Sequence, residues 1–242
     1  MWDNEVLLRN IANMLLACSL FAVLAGAGYY LMNLPGLFPL HNVSLNTTPR
    51  NVVPEKVLQV LRAESQGNLI TVDIDRLRRS MEKLPWVRSV KIRREFPDSL
   101  TVQIEEHQAL ARWNDSELVN LQGEVFAADY EQALPRFFGP EGESAEVTRR
   151  YADFSQQLDT LDLHVTQLVL SPRHAWQIRL SSGVVLELGR EDVQQRLERF
   201  VAVYPYSLQT ENDGNGAKGR LAYVDLRYRN GFSVRRAASG KG

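Results

Sequence analysis

From Val87 to Glu106 the chain reads V-R-S-V-K-I-R-R-E-F-P-D-S-L-T-V-Q-I-E-E. Val90 and Ile92 fall on one face of an extended strand, with Lys91 and Arg93 on the other. Beyond the Phe96-Pro97-Asp98-Ser99 break, Leu100, Val102 and Ile104 again share one face, opposite Thr101, Gln103 and Glu105. Period-two alternation on both sides of a proline–aspartate turn predicts a half-buried β-hairpin. Upstream the period changes to that of a helix. Val57, Val60 and Leu61 follow Pro54-Glu55 at helical spacing. Ile74, Leu77, Met81 and Leu84 form a second stripe, capped by Asp73 or Asp75 and stopped by Pro85. Gly67-Asn68 separates the helices, Val43 and Leu45 mark a short strand before them, and Trp86 is placed to plug the gap between helix and sheet. The order is β-α-α-β-β, from about His41 to His107.

Downstream the pattern is richer in strands. Leu110 to Trp113, Leu118 to Leu121 and Val125 to Ala127 read as short strands, the last two turned by Gln122-Gly123. Tyr151, Phe154, Leu158 and Leu161 predict a helix over 146–161. Val165 to Leu170, Trp176 to Leu180 and Val184 to Leu188 read as strands, and Val193, Leu197, Phe200, Val201 and Tyr204 as one face of a further helix. A polar loop from Thr210 to Gly219 precedes Leu221 to Leu226 and Phe232 to Val234, which flank the hairpin signal Asn230-Gly231. The second region is therefore expected to be a mixed, mainly antiparallel β domain with flanking helices, and the whole chain α+β.

Ahead of both regions, Ile11 to Leu40 carries no charge, and Ile11 to Leu34 is mostly apolar. As a helix that stretch spans roughly 36 Å, enough to cross a bilayer core of about 30 Å. Tyr29 and Tyr30 sit where an interfacial aromatic pair belongs. A cleaved signal peptide ending at Ala25-Gly26-Ala27 would need a basic n-region, but Asp3 and Glu5 accompany Arg9. A lipoprotein signal at Leu15-Leu16-Ala17-Cys18 leaves the apolar run beyond Cys18 unexplained. An uncleaved anchor accounts for the full length, with residues 1–10 a cytoplasmic head and everything past Leu40 exported. Pro35, Gly36 and Pro39 make the linker.

Composition then excludes whole function classes. Arg9 alone of 28 basic residues, and Asp3 and Glu5 alone of 29 acidic ones, precede the exported part, whose formal charge is therefore balanced. No basic field is available to grip nucleic acid. Cys18 is the single cysteine and lies in the span, which removes disulfides, thiol nucleophiles and cysteine metal sites from the exported part. The G-x-G-x-x-G match at Gly214-Asn215-Gly216-Ala217-Lys218-Gly219 follows a helix and Pro205 instead of a strand, so it reads as a polar loop. His41, His107, His164 and His174 never pair at i, i+4, and Ser171 near His174 lacks the G-x-S-x-G turn. Glu105 and Glu106 are adjacent on a strand and face opposite ways. Glu105 is expected to pair across the hairpin with Lys91 or Arg93, at about 0.5 kcal/mol. Trp86, Trp113 and Trp176 each have apolar neighbours and read as core. Neither catalytic residues, cofactors nor metals are expected.

Several of these residues carry a family resemblance. They are Asn68-Leu69, the Asp73 helix, Leu84-Pro85-Trp86-Val87, Arg93-Arg94-Glu95-Phe96-Pro97-Asp98-Ser99-Leu100, Leu188-Gly189-Arg190, Arg199-Phe200-Val201, Tyr204-Pro205 and Tyr223-Val224-Asp225-Leu226-Arg227-Tyr228 before Asn230-Gly231. In that order the chain resembles the FtsQ/DivIB family of bacterial cell-division proteins, and its β-α-α-β-β unit resembles a POTRA domain. The resemblance implies a single span at 11–34, a POTRA domain at 38–107, a β domain at 108–236 and a flexible tail at 237–242. It implies a non-enzymatic scaffold in the cell inner membrane at the division septum, with its domains periplasmic. There it would bind the FtsB and FtsL proteins and help regulate septal peptidoglycan synthesis. The implied contact region is Arg227, Tyr228, Asn230, Gly231 and the strand through Val234, with Arg173 beside it. Relatives often continue with Gly-Trp where this chain has Arg235-Arg236, which puts the apolar end of that interface in question. Without the resemblance, Tyr228 would read as packed on its own sheet and Arg227 as solvated. The alternative, a POTRA-bearing component of protein export or outer-membrane assembly, would need a long barrel region not found in 242 residues.

Overall fold

The computed structural model describes residues 5–32, 40, 42–46, 49–64, 68–208, 221–229 and 231–236. Pro35, Gly36, Pro39, His41, Gly67, the 210–219 loop with its glycine motif, Asn230 and the 237–242 tail lie outside the described residues. Helix α1 runs Glu5–Met32, beginning before Ile11 because Glu5 and Arg9 are good helix formers and favour continuation. Its Glu5–Leu31 stretch is long and apolar enough to cross a membrane. Ser19 donates its hydroxyl to the Leu15 carbonyl at 2.8 Å, so this polar side chain is satisfied within the helix.

The chain divides into two compact units, Met1–Glu106 and His107–Gly242. In the first, β1 (Asn42–Leu45), α2 (Pro54–Glu64), α3 (Ile74–Met81), β2 (Val87–Glu95) and β3 (Ser99–Glu106) follow α1. The sheet order is β1-β3-β2, with β1 parallel to β3 and β2 antiparallel to it. Leu100, Val102 and Ile104 are buried as the alternation requires; Val57 and Leu61 of α2 and Leu77 and Met81 of α3 are buried too, and α3 packs on α2 and β2. Helix α3 stops at Met81, earlier than Pro85, because the Leu84 N–H turns back to the Met81 carbonyl.

Trp86 adopts a left-handed φ of 70°, unusual for a bulky residue. That conformation costs about 1–2 kcal/mol, whereas burying about 200 Å² of indole at about 25 cal/mol/Å² returns roughly 5 kcal/mol. Burial wins, and Trp86 is only 8% exposed. Two charged residues lock the loops. Arg94 donates to the carbonyls of Leu69, Ile70 and Val72, tying the α2–α3 connection to β2. The Glu106 carboxylate accepts the N–H groups of Arg50, Asn51 and Val52 at the entry to α2.

Asp73, not Asp75, caps α3: its side chain accepts the Arg76 N–H at 2.9 Å. Asp73→Ala is expected to cost about 1 kcal/mol. Amide hydrogen exchange should show α3 opening several-fold more often, and unaltered protection would contradict the cap. One pairing differs from the expectation. Glu105 meets Arg88 at 2.6 Å and the Ser89 hydroxyl at 2.9 Å, not Lys91 or Arg93. The register explains it: Ser89 stands opposite Glu105, while Lys91 faces Gln103 and Arg93 faces Thr101. The Ser89 hydroxyl and the Arg88 guanidinium hold the Glu105 carboxyl below its ordinary pKa.

Among its described residues, the second unit forms one mixed sheet of nine strands. They are β4 (Ala109–Trp113), β5 (Glu117–Asn120), β6 (Val125–Phe126), β7 (Arg136–Phe138), β8 (Val165–Leu170), β9 (Trp176–Leu180), β10 (Val185–Gly189), β11 (Leu221–Asp225) and β12 (Ser233–Arg236). Their order is β12-β11-β10-β9-β8-β7-β4-β5-β6. Helix α4 (Ser144–Leu158) connects the parallel neighbours β7 and β8, and α5 (Val193–Val203) connects the parallel neighbours β10 and β11. Phe137, Phe154, Leu158, Leu168, Ile178 and Phe200 are fully buried in the core that these helices cover. Strand β7 leaves no mark in the sequence pattern: three residues between Pro135 and Gly139-Pro140 show no periodicity, and pairing on both sides holds them extended.

A candidate partner-binding edge

Among the described residues, strand β12 ends the sheet order and pairs with β11 alone, with Val234 opposite Val224. Its burial is that of an edge: Ser233, Val234 and Arg235 are exposed. The opposite edge, β6, is two residues long, and the His107 ring stacks over Phe126 there at 4.1 Å. A short covered edge resists strand addition, whereas a four-residue exposed one invites it. Tyr228, in the turn between β11 and β12, is 58% exposed, so the reading that packs it on its own sheet does not hold. Its carbonyl accepts from Arg199 of α5 at 3.1 Å, which steadies the turn.

Arg227, placed by the resemblance in the contact region and otherwise read as solvated, turns its guanidinium inward. Arg227 donates Nε and Nη2 to the two carboxylate oxygens of Asp225 at 2.9 and 2.7 Å, and its backbone N–H also reaches Asp225. The fork that a partner's carboxylate would use is closed within the chain. These bonds from Arg227 draw the Asp225 carboxyl below its ordinary pKa against the opposing effect of burial, and the same pair pushes the Arg227 guanidinium upward. Asp225 is a member of this site that residue type alone does not announce. Its signal was the spacing to Arg227, since positions i and i+2 of an extended chain share a face.

Arg173 and Arg227 come together on one open pocket of about 330 Å³, lined also by Gly189, Arg190, Glu191 and Arg196. Arg173 rides on a turn in which the Ser171 hydroxyl accepts the Ala175 N–H and the Ser171 carbonyl the His174 N–H, so Ser171 orders the turn. Arg196 donates to the Leu188 carbonyl at 2.7 Å. Gly189 has φ +72°, and a Cβ there would stand 2.8 Å from Arg196 Nη1 and 3.1 Å from Arg227 Cγ. Only glycine leaves both arginines in place. Gly231 and Val234 lie on the return side of the hairpin; Asn230 is outside the described residues. Arg235 sits over the Tyr223 ring at 4.9 Å, so a cation covers an aromatic face at the position in question. Among the described residues, no group of three His, Cys, Asp or Glu side chains could hold a metal.

Residues 38–107 match the FtsQ-type POTRA domain, and residues 111–227 the C-terminal region of the cell division protein FtsQ/DivIB. Over 97% of its length the chain is 39% identical to the cell division protein FtsQ of Nitrosospira multiformis, covering 99% of that relative. The chain belongs to the FtsQ/DivIB family. The FtsQ of Burkholderia pseudomallei is 37% identical over 98% of this chain and 95% of its own, and that of Escherichia coli 35% identical over 72% and 64%. The chain is thus a cell-division protein of FtsQ/DivIB type, with an apolar N-terminal helix that fits a single-pass membrane protein, a POTRA domain and a β domain. The FtsQ/DivIB C-terminal match ends at Arg227, so Tyr228 and β12 rest on the structure of the hairpin itself.

Proposed function

We propose that this chain is a non-enzymatic scaffold of the division machinery that binds FtsB and FtsL through its β domain and helps control septal peptidoglycan synthesis. In this reading residues 1–10 are cytoplasmic and both domains periplasmic, at the septum of the inner membrane. The observation that carries it is the open edge of β12, whose outward N–H and C=O groups a partner strand can satisfy. Tyr228 supplies an exposed aromatic anchor at one end of that edge. The pocket beside β10 and β11, where Arg173 stands with Arg190 and Arg196 while Arg227 stays on Asp225, suits an acidic side chain of the arriving segment. Gly231 leaves the hairpin turn without a side chain to obstruct approach, and Val234 offers an apolar contact on the edge strand. Asn230, next to Gly231 in sequence, completes the proposed contact set.

Tyr228→Ala is expected to weaken binding of an FtsB C-terminal peptide to the full chain by about tenfold, a loss of about 1.4 kcal/mol. Calorimetric titration checks it, with the melting temperature as control for folding. Undiminished affinity in a folded variant would remove Tyr228 from the interface. Arg227→Glu is a poorer probe, because it would set a second carboxylate against Asp225 and disturb the turn irrespective of any partner.

A further inference from the structure

The chain enters the first unit's sheet at the hairpin tip. Asn42, the first residue of β1, is the register partner of Ser99, and its N–H points to the Asp98 carbonyl at 3.4 Å. Glu95 pairs with Ser99, so Phe96-Pro97-Asp98 closes the β2–β3 hairpin beside this entry point. Strand β3 then carries the chain away, its far end at Glu106 lying roughly 24 Å along the strand. Only residues 33–41 separate Met32 of α1 from Asn42, a tether of at most about 34 Å. Of the two ends of the sheet, the one bearing Phe96 is therefore where the tether joins, the nearer of the two along the chain to whatever surface α1 emerges from. Phe96 is 67% exposed there, an aromatic ring at a loop tip within reach of a bilayer.

We propose that the Phe96-Pro97-Asp98 tip is a membrane-contact element, resting in the headgroup layer of the bilayer that α1 crosses and fixing the sheet end-on to it. The chemistry is that of an interfacial aromatic: the ring enters the boundary between headgroups and acyl chains. The charges around it set the lipid dependence. Arg93 and Arg94 are offset by Glu95 and Asp98, and the Arg94 guanidinium is already bonded to the Leu69, Ile70 and Val72 carbonyls. Contact is thus driven by Phe96 rather than by anionic lipid, and phosphatidylglycerol content hardly alters it. The inference rests on α1 being a membrane span.

The test uses the full chain with Cys18→Ser, carrying a fluorophore at Glu95→Cys or, at the opposite end of the sheet, at Lys83→Cys. Each protein is reconstituted in phosphatidylethanolamine vesicles with 10% or 30% phosphatidylglycerol and headgroup-nitroxide lipid (about 5%, chosen for shallow quenching). Quenching at position 95 is expected to exceed that at 83 by about threefold in both mixtures. Phe96→Ser should bring it down to the level at 83, and Phe96→Trp should restore it. Equal quenching at 95 and 83, or indifference to Phe96→Ser, overturns the contact. Flotation of the protein with the vesicles reports α1 separately: a chain that fails to float refutes the span, and with it the contact, whereas one that floats without quenching at 95 refutes the contact alone.

Discussion

Replacing Phe154 by alanine should cost the C-terminal unit about 3–5 kcal/mol. The side chain is fully buried, and its ring meets Trp176 edge-on at 5.8 Å and 83°. The helix that carries it, α4, packs on β8 and α5 and connects the adjacent central strands β7 and β8. It cannot settle into the vacated space without displacing both strands, so the cavity stays open and the penalty falls at the upper end for its kind. Against a usual domain stability of about 5–15 kcal/mol that is a large fraction. Hydrogen exchange of the full chain should show the amides of β8 and β9 opening by roughly two to four powers of ten more often. The β2–β3 hairpin belongs to the other compact unit and should keep its protection. Unchanged protection of β8 would mean that Phe154 is not central to this core.

Much of this architecture is legible in periodicity because each long element buries one face. Val90 and Leu100 to Ile104 alternate, and Leu77 and Met81 repeat at helical spacing, since half of each element must leave water. Strand β7 is illegible for the complementary reason: Arg136–Phe138 is extended through pairing to β4 and β8, which no local pattern encodes. The left-handed backbone of Trp86 is equally hidden, because only the volume the indole fills makes that conformation worthwhile. Arg94 reads as a surface charge near a turn; that it collects three carbonyls depends on a loop some twenty residues earlier in the chain.

The candidate site divides in the same way. That the chain ends in a hairpin follows from Asn230-Gly231 between apolar runs. That this hairpin lies at the sheet's edge does not, because β11 reaches β10 through a parallel crossover by α5. The alternation of β11 says nothing about which strand stands beyond it. Arg227 shows the limit most clearly. As a charged residue near a chain turn it reads as solvated, while the fold turns its guanidinium inward onto Asp225 and leaves the aromatic of Tyr228 exposed.

Asp225→Ala should therefore disturb both the fold and the proposed interface. It removes one buried carboxylate that accepts three N–H donors of Arg227, at a cost of about 2 kcal/mol. The figure stays below that of a fully buried pair because the Arg227 side chain is 56% exposed and water replaces part of what is lost. The pH dependence has a definite sign. Arg227 depresses the folded-state pKa of Asp225, so the folded protein holds this proton less readily than the unfolded one. The stabilisation is complete above the ordinary carboxylate pKa of about 3.9 and is lost as pH falls through the lower folded value. Thermal unfolding of the detergent-solubilised chain should thus separate the native protein from Asp225→Ala by a constant margin between about pH 7 and 5. The margin should shrink only in strong acid. Asp225→Asn keeps the shape but not the charge, and should fall between the two at neutral pH. If all three melt together at pH 7, Asp225 does not hold the hairpin. If Asp225→Ala melts lower yet binds an FtsB C-terminal peptide as tightly as the native chain, the Arg227 turn lies outside the interface.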